Sequence, residues 1–218
     1  MKNHRQALIL VVVLAIQLGV LARSAFAKTD CGNTPQGPQC ISQIDFKQFQ
    51  QTSFQQQKMS QWCWAASISM LFNYYGHPVS QEEIVQSLYG RTVNLPSGNG
   101  WNIASRLNTD WTDDNGKRFQ SRLTAAYDYY ARVMTLDNAW IVNELDQDRP
   151  FIIGTRGHAV VATAIRYRPT RPEPVILAIG VFDPFPGRGA RWLDYSEMRA
   201  AHLPRGALEF TATVRLYD

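Results

Sequence analysis

WCWAASISMLFNYYG, residues 62–76, is the most telling stretch of the 218-residue sequence. Trp64 to Tyr75 is apolar enough to form a helix in the core, and Gly76, followed by His77-Pro78, is a typical helix stop. Cys63 is therefore predicted at or just before the helix N-terminus, where unpaired backbone N–H groups and the helix dipole favour a negative charge. A thiolate there is a nucleophile that needs a base.

The sequence contains three cysteines. Cys31 and Cys40 stand close together in the Gly/Pro-rich stretch CGNTPQGPQC and are predicted to close a small disulfide loop, which leaves Cys63 unpaired. Two alternatives stay open: Cys63 pairs with one of the other two cysteines, or it is a buried thiol that packs as a small hydrophobe. A structural zinc site is disfavoured, because the cysteines and histidines lack ligand spacings such as C-x-x-C. We expect no metal and no cofactor.

Residues 1–27 have the pattern of a signal peptide. Lys2 and Arg5 precede the apolar run Ala7 to Ala22, and Ala25-Phe26-Ala27 is a small-x-small cleavage site. The run is shorter than the ~20 residues that span a bilayer, so an uncleaved anchor is the less favoured alternative. Export to the periplasm or the medium, an oxidising compartment, agrees with a disulfide.

The charge of the mature chain does not indicate a nucleic-acid partner. Without Lys2, Arg5 and Arg23, the 22 basic residues fall to 19, against 18 acidic residues. The basic character of the whole sequence thus comes partly from the predicted leader, and the charge gives no reason to expect a nucleic-acid partner.

Helix and loop signals dominate the first half of the mature chain. After a Gln/Pro/Gly-rich lead-in from Lys28 to about Ser53, expected to be partly ordered, Ser80-Gln81-Glu82-Glu83 is a capping box that begins a helix ending at Tyr89. Trp101 to Leu107 is at most a short helix, and Asp110 to Lys117 is predicted to be an exposed turn.

Strand signals dominate the second half. We predict strands and two helices over these segments: strands at 119–127, 151–154, 159–167, 175–182 and 207–217, a helix at 138–146 capped by Asp137, and a small helix at 195–201. A helical half followed by an antiparallel half predicts an α+β fold.

His158 is the best candidate for a base. It lies in GTRGHAVV, residues 154–161, at the start of a buried strand, and Asp183 follows the next apolar strand in Asp183-Pro184. If the two strands pair, Asp183 lies close to His158 and holds its Nδ1–H. A core-edge histidine and a common Asp-Pro turn are the structural alternatives, and Asp194 is a less well-placed candidate for the orienting group.

Gln57 and the backbone N–H of Cys63 are candidate donors to an oxyanion. The glutamine signal is weak by itself, because 7 of the 14 residues from Gln48 to Gln61 are glutamine.

The ordered set of these residues resembles the papain-like cysteine proteases, and in particular their compact bacterial branches: leader-peptidase-like enzymes and effector-type proteases with a Cys-Trp-Ala-Ala motif. The resemblance covers Gln51 to Asp218. It implies a nucleophile (Cys63), a general base and acid (His158), an orienting group (Asp183) and an oxyanion donor (Gln57).

The resemblance also implies a papain-like α+β fold, with the nucleophile at a helix N-terminus and the helical half packed on an antiparallel half. Trp192 is expected to shield the His–Asp pair. Two features depart from the plant and lysosomal members: Ser60 stands where they have a disulfide cysteine, and Asp183 where they have Asn.

The expected organisation is a signal peptide over residues 1–27, a lead-in over 28–50 and a peptidase domain over 51–218. We expect a secreted or periplasmic thiol peptidase that acts on a peptide or protein substrate, as a monomer without stable membrane association after signal cleavage. An amidase or acyl-transferase with the same site, and a non-catalytic interaction protein on the same fold, are the alternatives.

Overall fold

The computed structural model describes residues 28–218, and the predicted signal peptide lies outside the described residues. Six α-helices lie in this range: α1 (Phe46–Gln48), α2 (Cys63–Tyr74), α3 (Gln81–Tyr89), α4 (Gly100–Leu107), α5 (Asn138–Asp146) and α6 (Tyr195–Met198), with a π-helical turn at Phe49–Ser53. None of the described helices combines the length and apolar character needed to cross a membrane.

Helix α2 is the central helix of the core. All of its residues except Cys63 and Asn73 are buried, as its continuous apolar sequence predicts. It ends where predicted, since Gly76 has a φ of +85°, which glycine adopts without a steric penalty. Ser80 caps α3 as predicted, accepting a hydrogen bond from the Glu83 N–H at 3.2 Å.

Ten strands form a single sheet over the described residues: β1 (Lys28–Thr34), β2 (Gly37–Gln43), β3 (Asp110–Thr112), β4 (Arg118–Asp128), β5 (Val133–Met134), β6 (Phe151–Thr155), β7 (His158–Arg168), β8 (Val175–Asp183), β9 (Gly189–Trp192) and β10 (Leu208–Tyr217). Its strand order is β1-β2-β7-β6-β10-β4-β3, with β5 on β4, β8 on β7 and β9 on β8. Every named pair is antiparallel. The α+β prediction is confirmed.

Strand β7 organises the part of the sheet that carries the candidate site. Its first half pairs with β6, its second half pairs with β2, and β8 runs along its other edge. All five residues of β6 and seven of the eleven residues of β7 are buried, because α2 packs on this part of the sheet. The N-terminus of α2 and the start of β7 therefore belong to one packed unit.

The lead-in is more ordered than predicted. Strands β1 and β2 form a hairpin that the Cys31–Cys40 disulfide crosses between directly paired residues, and β2 continues the main sheet beside β7. The disulfide prediction is confirmed and Cys63 is free. The Asp110–Lys117 segment is also not a turn throughout, since its first residues form β3.

Candidate active site

Three elements bring Cys63, His158 and Asp183 to the same end of the sheet. Cys63 is the first residue of α2, His158 the first of β7 and Asp183 the last of β8. Because β7 and β8 are antiparallel and Val161 pairs with Phe182, the start of one lies beside the end of the other. The strand pairing expected from the sequence is present.

His158 is held by Asp183 through a short contact. The ring Nε2 lies 2.7 Å from Asp183 Oδ1, and the Asp183 side chain is fully buried. The sequence-based expectation that Nδ1 would meet the carboxylate is wrong. With Nε2 engaged by Asp183, Nδ1 is the ring nitrogen left for Cys63, which lines the same cleft as His158.

The surroundings of His158 favour its charged form. Burial of the ring lowers its pKa, but hydrogen bonds to Asp183 and Cys63, and the charges of both, raise it more, so that the pKa of His158 rises from 6.5 to about 9. At neutral pH the ring is therefore mostly an imidazolium.

Asp183 accepts hydrogen bonds from four groups. Oδ1 accepts from His158 and from the Phe185 N–H at 2.9 Å, while Oδ2 accepts from Arg191 Nε at 2.8 Å and Arg188 Nη1 at 3.3 Å. Burial raises the pKa of this carboxyl, but these donors outweigh it and hold the pKa well below the usual range. Asp183 thus stays ionised, and its orientation is fixed on both oxygens.

Arg191 and Glu197 are site residues that the sequence analysis missed. The Arg191 guanidinium donates to both carboxylate oxygens of Glu197, at 2.7 Å each, while its Nε donates to Asp183. In the β8–β9 hairpin Arg191 pairs with Val181, so it faces the same side as Asp183, two residues along β8. Arg191 could have been found by counting back along β9 in steps of two, because alternate residues of paired strands face the same side of the sheet as Asp183.

Trp192 does not shield the His–Asp pair, contrary to expectation. It follows Arg191 in β9 and so faces the opposite side of the strand, where its ring lies against Gly180 and under the Arg166 guanidinium. The Trp192 side chain is 43% exposed. The residue next to it, Arg191, covers Asp183 instead.

The N-terminus of α2 offers backbone donors next to the sulfur. The first bond of the helix runs from the Ala66 N–H to the Trp62 carbonyl at 2.9 Å, so the N–H groups of Cys63, Trp64 and Ala65 precede it. Trp62, at the N-cap, supplies no side-chain cap. These N–H groups are available to a thiolate or an oxyanion.

Gln57 lies between the two halves of the site. Its backbone N–H donates to the Pro184 carbonyl at 2.8 Å, which ties the segment before α2 to the turn after Asp183. Its side-chain Nε2 donates to the carbonyls of Met59 and Ser60, both at 2.9 Å, so both amide hydrogens have acceptors. The oxyanion role of Gln57 stays a prediction, and it requires one of these bonds to be exchanged.

Trp62 and Trp64 fix the loop that forms one wall of the site. The Trp62 indole donates to the Val93 carbonyl at 2.8 Å, and the Trp64 indole donates to the Leu95 carbonyl at 3.2 Å. The tryptophans on either side of Cys63 therefore set the position of the loop that runs from Leu95 into α4.

A cleft of about 510 Å³ opens beside Cys63 and His158. One wall is the loop from Pro96 to Gly100. The opposite wall comes from the ends of β4, β6 and β10, and includes Asp128, Gly154 and Phe210. The volume is typical of a ligand-binding pocket.

The two other histidines of residues 28–218 and Asp194, the alternative orienting group, lie outside this arrangement. His77 is buried beyond the C-terminal end of α2, stacked on Phe119 and 3.3 Å from Asp113. Asp194 stands at the start of α6, where its N–H donates to Glu197 at 2.8 Å. His202 stacks on Tyr129.

A comparison with models of protein families gives one match to the chain. The model of the Peptidase_C39 like family matches residues 43–201, well over half of the chain and a range that includes Cys63, His158 and Asp183. Neither the curated proteins nor the solved structures gave a significant match.

Proposed function

The chain belongs to the Peptidase_C39 like family, a family of cysteine peptidases, and on that premise we propose that it hydrolyses peptide bonds with Cys63 as nucleophile and His158 as general base and acid. Asp183 orients the imidazole and stabilises its charge. The observation that carries the proposal is the position of His158, whose ring is held by a buried carboxylate at 2.7 Å and whose pKa is raised to about 9 beside a free cysteine.

In the proposed reaction the Cys63 thiolate attacks the carbonyl carbon of the scissile peptide. A C–S bond forms and the carbonyl electrons move to oxygen, which the free N–H groups at the start of α2 stabilise. When the C–N bond breaks, the leaving nitrogen takes the proton of the His158 imidazolium, and an acyl-enzyme remains.

Hydrolysis returns the site to its first state. Neutral His158 takes a proton from water while the hydroxide oxygen attacks the thioester carbon. The C–S bond then breaks, the carboxylic acid leaves, and the thiolate–imidazolium pair is restored. No group from outside the chain other than water is consumed.

We also propose that the arrangement is papain-like and that the Cys-Trp-Ala-Ala sequence, residues 63–66, is its nucleophile motif. Three features support this. The proposed nucleophile begins a helix, antiparallel strands carry the proposed base and orienting carboxylate, and the three residues follow one another in that order along the chain. Gln57 is the proposed additional oxyanion donor. The proposed domain limits are residues 51–218, with the β1–β2 hairpin as an N-terminal extension of the sheet.

Export is a further part of the proposal. The Cys31–Cys40 disulfide is typical of proteins in oxidising compartments. Residues 1–27 are proposed as the signal peptide, and the mature protein as a monomer in the periplasm or the medium.

The test is the Cys63→Ala variant of the mature protein, assayed on a fluorescently labelled unfolded protein and with an iodoacetamide probe. We expect both hydrolysis and probe labelling to be lost, with an unchanged circular dichroism spectrum. The Cys31→Ser/Cys40→Ser double variant is the control that keeps Cys63, and it should label normally. Full hydrolysis by Cys63→Ala would refute the proposal, and labelled but inactive wild type would favour the non-catalytic alternative.

A further inference from the structure

The cleft beside Cys63 is acidic. Apart from His158 itself, the charged residues that line it are Asp128 and Glu209, and no Lys or Arg of the described chain is among its lining residues. The remaining walls include the apolar side chains of Trp64, Ile103 and Phe210. A cleft with apolar walls and two carboxylates suits a long side chain with a positive end.

Asp128 is a buried residue, and only one of its two carboxylate oxygens accepts a hydrogen bond within residues 28–218. The residue is 6% exposed, and its Oδ1 accepts the Ala131 N–H at 2.9 Å. Its Oδ2 accepts no hydrogen bond from any of residues 28–218. This oxygen lies so close to Gly100 that a Cβ atom added at that position would be 2.5 Å from it. Gly100 and Asp128 both line the cleft.

Glu209 lies beside the same space. It is partly buried, and its Oε1 accepts a hydrogen bond from the Tyr130 hydroxyl at 3.0 Å. The hydrogen bond to Glu209 and the charge of that carboxylate raise the pKa of Tyr130, which therefore stays a neutral donor. Within the described chain, neither Asp128 nor Glu209 has an ion-pair partner.

The basic residues close to the site lie on the other side of His158. Arg156 and Arg188 line a neighbouring depression together with His158 and Phe185. Arg188 is engaged by Asp183, and Arg156 is exposed. That depression also contains Glu197, which is paired with Arg191, and the charge of Arg156 reaches Tyr130 in the cleft. The two sides of His158 therefore differ in that the carboxylates of the cleft have no ion-pair partner within the described chain.

We propose that this cleft is a subsite for a lysine or arginine side chain of the substrate, with Asp128 and Glu209 as its anionic contacts. This proposal rests on the proposed peptidase function. The aliphatic stem of the substrate residue packs on Trp64 and Phe210, and its cationic end reaches the two carboxylates. Asp128 Oδ2 accepts no hydrogen bond within residues 28–218, so it is free to accept one from a cationic partner.

The experiment compares arginine with citrulline, which has nearly the same shape but no charge. A set of internally quenched octapeptides carries arginine at each position in turn, with a citrulline peptide for every arginine peptide. For the position that occupies the cleft, we expect kcat/KM to be about tenfold or more higher for arginine, the usual worth of hydrogen bonds to a charged group. Equal rates at every position would overturn the proposal.

Variants assign the preference to the two carboxylates. Asp128→Asn keeps the acceptor for the Ala131 N–H, and Glu209→Gln keeps the acceptor for Tyr130, so each removes charge with little change of shape. Each variant should lower the arginine-to-citrulline ratio, and the double variant should bring it close to one. Glu173→Gln, an exposed acidic residue in the β7–β8 turn at the far end of β7, is the control that keeps the wild-type ratio.

A binding measurement separates this proposal from the proposed function. The Cys63→Ala variant is titrated with the same arginine and citrulline peptides, and quenching of tryptophan fluorescence is followed. Tighter binding of arginine that weakens in the Asp128→Asn/Cys63→Ala double variant supports the subsite even if no hydrolysis is found. Hydrolysis that depends on Cys63, with equal binding of both peptides, leaves the peptidase in place and refutes the subsite.

Discussion

Replacing Asp183 with asparagine tests the central electrostatic argument. Asparagine keeps the shape and an oxygen acceptor for His158 Nε2, but it loses the negative charge. The pKa of His158 stands about 2.5 above its ordinary value, which corresponds to about 3 kcal/mol in favour of the imidazolium. Of the interactions that raise this pKa, the hydrogen bond from the His158 ring to Asp183 is the largest.

The expected change follows from what remains in the variant. Burial still lowers the pKa of His158, and the charges of Arg188 and Arg191 are no longer neutralised by the carboxylate between them and the ring. We therefore expect the pKa of His158 in Asp183→Asn to fall by more than 1, from about 9 to below about 8. At pH 8.5 the imidazolium fraction then falls by roughly threefold or more, on the tenfold-per-unit scale.

The assay is a pH titration of the His158 ring by NMR in histidine-labelled protein, with the resonance assigned through His158→Gln. The alkaline limb of kcat/KM should move down in pH with it, since the imidazolium protonates the leaving nitrogen. The limb's position does not depend on how much variant is folded, so partial loss of stability does not obscure it. Asp194→Asn is the control, and an unchanged His158 titration in Asp183→Asn would refute the reasoning.

Three further predictions follow from other contacts. Arg191→Gln should lower kcat and move the His158 titration to higher pH, because a positive charge near the ring is lost. Arg191→Lys should restore the His158 titration better than it restores kcat, since lysine keeps the charge but lacks the two-pronged guanidinium that binds both oxygens of Glu197. Because the pKa of His158 is raised in the folded state, its stabilising contribution is complete below pH 6.5 and is lost as pH rises to about 9. Urea titrations should therefore show the free energy of unfolding falling by at most about 3 kcal/mol over that window, and His158→Gln should lack this decrease. Replacing Cys31 and Cys40 with serine should cost about 2 to 3 kcal/mol of unfolding free energy, given the short loop they close, without changing kcat.

Much of the local structure was predictable because its causes are local. The apolar run of α2 and the glycine that ends it, the serine cap of α3 and the aspartate cap of α5 each involve residues only a few positions apart. Strands β4, β6, β7, β8 and β10 were also found, since buried strands have strong apolar runs. The approach of Asp183 to His158 followed from assuming that two consecutive strands pair.

What the sequence did not predict depends on pairing between distant segments. The β1–β2 hairpin has a polar, Gly/Pro-rich sequence and is ordered by the disulfide and by β7, more than 120 residues later. Arg191 was missed because its position beside Asp183 depends on the register between β8 and β9. A shift of that register by one residue would have placed Trp192 beside Asp183 instead. The side chains that make the cleft acidic come from β4 and β10, which meet only in the folded sheet.

The environment of Asp183 gives a physical reason for an aspartate where an amide could also orient a histidine. A buried carboxylate facing only an imidazole would hold its charge at a large desolvation cost. Here Arg191 shares that charge on the far oxygen, and Glu197 in turn balances Arg191, so cations and carboxylates alternate from the ring towards the surface. An amide at position 183 would leave Arg191 with a neutral neighbour at 2.8 Å, so the effects of changing Asp183 and Arg191 are coupled. The double variant Asp183→Asn/Arg191→Gln should therefore lose less stability than the sum of its single variants, and strict additivity would show that the two residues act independently.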